Sequence, residues 1–226
     1  MRGLLLILFF GFSLNVFGQR PNEINDKEAA YTHTITLRAQ KIVQTLGIGD
    51  SARANHLTGI IAHQYRNLNS IYTDRDQQLK SIKEGALSKE GKDSAAKQLQ
   101  DAVDKKIASL HAAFLSMLSS GLTPEQVIMV KDGMTYNVLK VTYDAYVDMI
   151  PSLTREQKNQ IMDWLIEARE YAMDGESSEK KHWWFNKYKG RINNYLSAQG
   201  YDINKEREEW QKRRSTTDAK TNQPSH

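Results

Sequence analysis

Residues 57–82 read LTGIIAHQYRNLNSIYTDRDQQLKSI. Leu57, Ile61, Leu68, Ile71, Leu79 and Ile82 recur there at near-heptad spacing, with Gln64 and Arg75 falling on the same seam. That period puts the apolar side chains on one face of a helix, where a strand would alternate every second residue. Gly85 to Gly91 form a polar connection. Leu99, Val103, Ile107, Leu110, Phe114 and Met117 or Leu118 then repeat the pattern as far as Gly121. Two long amphipathic helices joined by a short loop pack antiparallel. The stretch therefore predicts a long helical hairpin.

Working outward, Ile35, Ala39, Ile42 and Leu46 mark an earlier helix that Gly47 and Gly49 stop, and Asp50 can cap the next. Downstream, Leu122-Thr123-Pro124-Glu125-Gln126 has the form of a helix start, with Thr123 at the N-cap, Pro124 at N1 and Gln126 at N3. Leu153-Thr154-Arg155-Glu156-Gln157 repeats it, with Lys158 in place of the staple residue Val127. Met134 to Thr142 is rich in β-branched and aromatic residues, which leaves extended and helical conformations both open. No second strand exists to pair with it, so no sheet is expected. Tyr143 to Ile150 reads as a short helix stopped by Pro151. Residues 155–174 form an amphipathic helix through Ile161, Trp164, Leu165, Ala168 and Ala172. Further helices follow over about 179–199 and 204–214. The expected architecture is all-α, with long helices over 19–121 and a compact helical bundle over 122–214 in a single domain. Residues 215–226 read as a disordered polar tail.

Residues 1–18 stand apart. Arg2 supplies a basic start, Leu4 to Phe12 an apolar run, and Val16, Phe17 and Gly18 a cleavage pattern before Gln19. This is the form of a secretory signal peptide. The run is shorter than the ~20 residues a bilayer span needs, and no later stretch is long and apolar enough to cross a membrane. The expected location is the periplasm, as a soluble exported protein. The full chain has 226 residues, 39% hydrophobic residues, a net charge of +4 and no cysteine. Absent cysteine excludes disulfides, thiol nucleophiles and thiolate metal sites, so stability must come from helix packing.

The charge is uneven. Residues 179–214 carry ten Lys/Arg against five Asp/Glu, and they hold Trp183, Trp184, Phe185, Tyr188, Tyr195 and Tyr201. On a helical projection Phe185, Tyr188, Ile192 and Leu196 form the core stripe. Trp183, Lys187, Gly190 and Asn194 lie opposite, with Arg191 between the faces beside Trp184 and Tyr195. Gly190 costs a helix about 1 kcal/mol relative to Ala, so either something approaches closely there or the helix bends. Aromatic rings beside polar donors suit a flat sugar face, and Lys187 and Arg191 suit acidic groups. The candidate ligand-binding residues are thus His182, Trp183, Trp184, Lys187, Tyr188, Arg191 and Asn194. The competing reading has Trp183 packed beneath the last helix, against Trp210.

A stripe of Asp163, Glu167, Glu170 and Asp174 lies opposite the apolar face of its own helix. It reads as a solvated face. Glu167 and Glu170 are the candidates should a carboxylate pair serve acid–base catalysis or bind calcium. The six histidines form no metal-binding cluster, with His56 and His63 two turns apart. No Gly-rich phosphate loop, GxSxG elbow or nucleic-acid motif is present. No metal, cofactor or nucleic acid is expected.

LTPEQ, DGMTYNV, VTYDAY, LTREQK and the run WLIEAREYAMDGESSEKKHWWFNKYKGRINNYLSAQGYD, with the export signal, resemble an uncharacterised exported family of Bacteroidetes. Its genes often sit among polysaccharide-utilisation genes. The resemblance covers most of the chain beyond residue 18 and is densest over 122–202. It implies a role near glycan breakdown and brings no assigned residues. A looser similarity, through the two LTxxQ helix starts, is to periplasmic proteins of the Spy and CpxP type, which are small helical stress chaperones or sensors. The expected function is a non-catalytic accessory protein that binds an oligosaccharide or an exported protein partner in glycan use. The alternatives are a Spy-like chaperone, which requires an exposed apolar face on the hairpin, and a carbohydrate-active enzyme using Glu167 or Glu170.

Overall fold

The computed structural model describes residues 21–221, and side chains within 25–216. The expected signal peptide lies outside the described residues. Eight helices follow in order: α1 (Pro21–Gln44), α2 (Ser51–Glu84), α3 (Lys89–Gly121), α4 (Pro124–Met134), α5 (Val138–Met149), α6 (Arg155–Met173), α7 (Ser178–Ala198) and α8 (Ile203–Thr221). Among the described residues there is no strand, and no helix is long and apolar enough to cross a membrane.

The starts are set by local chemistry. Asp50 accepts from the Arg53 amide at the head of α2, and Ser88 from the Gly91 amide at the head of α3. Both LTxxQ segments close full capping boxes, Thr123 with Gln126 and Thr154 with Gln157. Each N3 glutamine also reaches another element. Gln126 donates to the Leu46 carbonyl (2.9 Å), and Gln157 accepts from the Tyr201 hydroxyl (3.0 Å). Each box thus starts its helix and ties that helix to another element of the fold.

Helices α2 and α3 form the antiparallel hairpin. Arg53 at the start of α2 donates to the Gly121 carbonyl at the end of α3, and Lys92 donates to Lys83 across the turn. The seam is buried from its base to about the middle of the hairpin. Leu57, Ile61, Leu68, Val103, Phe114 and Leu118 are enclosed, whereas Ile71, Leu79, Ile82 and Leu99 stay partly exposed. Two helices alone cannot surround a side chain, so the half of the seam toward the tip stays partly exposed.

Two cores result. The first joins Ile35, Ala39 and Ile42 of α1, Leu57 and Ile61 of α2, Phe114 and Leu118 of α3, and Val130 and Met134 of α4. Helix α4 thus buries Val130 and Met134 against the long helices, and it also joins α6 through Lys131 with Glu170 and Asp132 with Arg169. At its contact with α1, a Cβ built on Gly133 would meet Ile42 Cγ1 at 2.8 Å, so only glycine permits this approach. The second core joins Leu139 and Tyr146 of α5, Ile161, Leu165 and Ala168 of α6, Phe185, Tyr188, Ile192 and Leu196 of α7, and Ile203 of α8. Met173, the last residue of α6, packs into the first core while neighbouring Ala172 packs into the second.

Three boundaries differ from the sequence reading. The connection after α2 is shorter than Gly85 to Gly91, because Ser88 caps α3 and the helix starts at Lys89. The segment 134–142 is helical on both sides of a three-residue turn, so α5 begins at Val138 and not at Tyr143. Helix α8 runs through Arg214 to Thr221, into the segment expected to be a disordered tail. Residues 222–226 lie outside the described residues.

Candidate functional site

Helix α7 starts at Ser177, whose hydroxyl accepts from the Lys180 amide. Its helical period turns Phe185, Tyr188, Ile192 and Leu196 into the core and leaves Trp183, Lys187, Gly190, Arg191 and Asn194 outside. Trp184 lies between the faces and is met by Tyr171 of α6. The two rings stack with centroids 4.6 Å apart and planes 17° from parallel. Tyr171 stacks in turn on Tyr188 at 6.5 Å, and Trp183 sets its edge to Trp184 at 4.9 Å. Lys187 Nζ lies 5.0 Å from the Trp184 ring centre and 5.7 Å from that of Trp183. Lys180 covers another part of Trp183 at 4.2 Å.

The Tyr171–Trp184 pair is a wall shared by two cavities. One, of about 720 Å³, is lined on α7 by Lys187, Gly190, Arg191 and Asn194 and on α6 by Glu167. Arg191 packs over Trp164 at 4.6 Å and pairs with Glu167 at 3.6 Å. Burial first, and then the Glu167 carboxylate, push the Tyr188 phenol well above its usual range, so it stays protonated. Gly190 also opens onto a further cavity of about 650 Å³ on the other side of α7, with Tyr146, Asn186, Asn193, Arg207 and Trp210 around it. Nothing lies within 4 Å of a Cβ built on Gly190, and α7 runs unbroken through it. No neighbour within the protein requires a glycine there.

The cavity on the other side of the aromatic wall, about 460 Å³, is charged. His111 of α3 bridges two carboxylates at the C-terminal end of α6: Nδ1 donates to the capping residue Asp174 at 2.8 Å, and Nε2 faces Glu170 at 3.6 Å. Asp174 first and Glu170 second raise the imidazole pKa to about 9. Burial pushes Glu170 upward, but His111 and Lys131 (2.7 Å), with Arg169 alongside, outweigh it and hold the carboxyl at about 2. Tyr72 closes the cavity by donating to the Asp174 carbonyl at 2.7 Å. Lys181 anchors the turn behind it, donating to the carbonyls of Ala172 and Met173.

Of the residues singled out from sequence, Trp184, Lys187, Tyr188, Arg191 and Asn194 line one groove, with Trp183 on its outer flank. Trp183 is not covered. It keeps 47% of its surface, while Trp210 lies against α5 and donates its indole N–H to Asp148. His182 departs from the expectation. One residue back along α7 it points away from the groove and stacks on Tyr136 at 5.8 Å. Glu167 is on the groove wall, but Glu170 faces the His111 cluster. Sequence reasoning missed Tyr171 as the stacking partner, although Trp164, Glu167 and Tyr171 share a helical face. It also missed His111, whose carboxylates lie on a distant helix. Among the described residues no group of three metal-ligating side chains is placed to hold an ion.

The fold and this surface define an all-α protein with an aromatic, basic groove on its penultimate helix. Residues 32–216 match the family described as protein of unknown function, DUF3826, and the chain belongs to that family. No curated protein matches the chain.

Proposed function

We propose that this is an exported, non-catalytic accessory protein of glycan utilisation, and that it binds an oligosaccharide in the groove along α7. The observation that carries the reading is the stacked Tyr171–Trp184 pair, exposed between two cavities and ringed by Lys187, Arg191 and Asn194. Aromatic faces take the apolar face of a sugar ring, and amide and cationic donors take its hydroxyls or an acidic substituent. The resemblance to exported proteins encoded among polysaccharide-utilisation genes supports the same substrate class. Calorimetric titration with neutral oligosaccharides tests it, comparing wild type with Trp184→Ala. Loss of at least tenfold in affinity is expected. Equal affinity in the two proteins, or no binding by wild type, would rule the reading out.

The other readings gain less support. Among the described hairpin residues, the exposed large apolar side chains are Leu87 at the turn and Met117 near the far end of α3. They form no continuous face for a chaperone client. Glu170 is held ionised by its cationic neighbours, so it is unsuited to act as a general acid. Glu167 is half-exposed and paired with Arg191.

A further inference from the structure

Helix α4 ends in a Schellman motif: the Asn137 amide donates to the Asp132 carbonyl at 2.8 Å, and the Tyr136 amide to that of Gly133 at 3.4 Å. The residue after the cap in this motif must be left-handed, and glycine is the usual occupant. Here it is Tyr136, at φ 59°, followed by Asn137 at φ 56°. A left-handed tyrosine is a strained choice, and such outliers gather where a side chain is needed at a set place. The Tyr136 ring stands at a cavity of about 500 Å³, walled by Arg38 and Lys41 of α1, Thr45 just past its end, Tyr65 of α2 and Asp132 of α4.

The charge around that cavity is one-sided. Neither Arg38 nor Lys41 has a carboxylate partner among the described residues. Buried Lys181 lies close enough to feel the Arg38 charge, and exposed His182 packs on Tyr136. The carboxylate in the lining, Asp132, is already taken by Arg169 at 2.8 Å. Burial keeps the Tyr65 phenol protonated as a donor. The cavity thus offers guanidinium, ammonium, phenol and amide donors with no uncommitted negative charge.

We propose that this cavity is a second binding site, separate from the α7 groove, and that it takes an oxyanion group carried on a ring that lies against Tyr136. A carboxylate-bearing sugar has that chemistry, and a free inorganic oxyanion shares its charged part. The site rests on residues of α1, α2 and the α4–α5 turn, so it stands whether or not the α7 groove binds sugar.

The test is calorimetric titration with trigalacturonate, inorganic sulfate and maltotriose. Trigalacturonate is expected to bind, Arg38→Gln with Lys41→Gln to weaken it at least tenfold, and the same double substitution to leave any binding of maltotriose unchanged. Tyr136→Gly is expected to raise the melting midpoint by about 2–4 °C by relieving the left-handed backbone, yet to weaken trigalacturonate at least tenfold. Tighter binding of trigalacturonate than of sulfate supports the ring contact. Equal binding of the two reduces the site to an oxyanion pocket and overturns the role given to Tyr136. Three results overturn the site itself: no binding of either anion at millimolar concentration, anion binding unchanged by the Arg38 and Lys41 substitutions, or anion binding abolished by Trp184→Ala alone.

Discussion

His111 of α3 donates to Asp174 at the end of α6 across 2.8 Å, joining the hairpin to the helix that carries the groove wall. The imidazole pKa, raised to about 9 by Asp174 and Glu170, makes this contact a source of pH-dependent stability. A histidine more basic in the folded state stabilises fully below its unfolded pKa of ~6.5, and the contribution disappears as pH rises through the folded value. Buried Lys181 acts the opposite way above pH 8. Burial lowers its pKa to about 8, so the folded state gains relative to the unfolded one as pH climbs from there. The useful quantity is therefore the difference between wild type and His111→Gln in urea unfolding. The variant is expected to be less stable by ~1–3 kcal/mol at pH 6 and by much less at pH 9.5. A deficit that does not change with pH would contradict the charged bridge.

Gln64 makes a separate prediction in the first core. It is 2% exposed, and neither amide atom has a partner. A buried amide without hydrogen bonds costs on the order of 1–3 kcal/mol. Gln64→Met keeps the volume and removes the polar atoms, so unfolding free energy should rise by about 1 kcal/mol or more. A fall in chemical-denaturation midpoint would show that the amide is satisfied in solution.

The second capping box predicts an ordering of losses. Thr154→Ala removes a cap and should cost about 1 kcal/mol. Gln157→Ala removes the reciprocal bond and also the acceptor of the Tyr201 hydroxyl, which ties α6 to the segment before α8. It should cost more than Thr154→Ala, and a double-mutant cycle with Tyr201→Phe should give a coupling of roughly 0.5–1.5 kcal/mol. Zero coupling would mean that the two side chains act independently.

Local patterns were legible in the sequence, and long-range partners were not. The spacing of Phe185, Tyr188, Ile192 and Leu196 named the buried face of α7, and the groove residues Lys187, Arg191 and Asn194 followed from the opposite face. The LTxxQ boxes were readable because a cap is chemistry within five residues. The His111 cluster joins residues 59 to 63 positions apart, and no local period records such a pairing. The α4–α5 turn was obscured for another reason. A left-handed cap advertises itself by glycine, and this one carries Tyr136. His182 was misplaced because one residue along a helix rotates a side chain by about 100°, enough to move it from the groove to the far cavity.

Binding in the α7 groove is tested most sharply at Gly190, which lines the cavities on both sides of α7 and has no neighbour within 4 Å of its absent side chain. Gly190→Ala should stabilise the exposed helix by up to about 1 kcal/mol. Gly190→Phe should also leave the fold intact, because its ring enters open space. Titration of both variants with the oligosaccharide that wild type binds then separates folding from recognition. Near wild-type affinity is expected for Gly190→Ala, and at least a tenfold loss for Gly190→Phe at unchanged or higher melting temperature. Wild-type affinity in a folded Gly190→Phe protein would contradict binding in the groove.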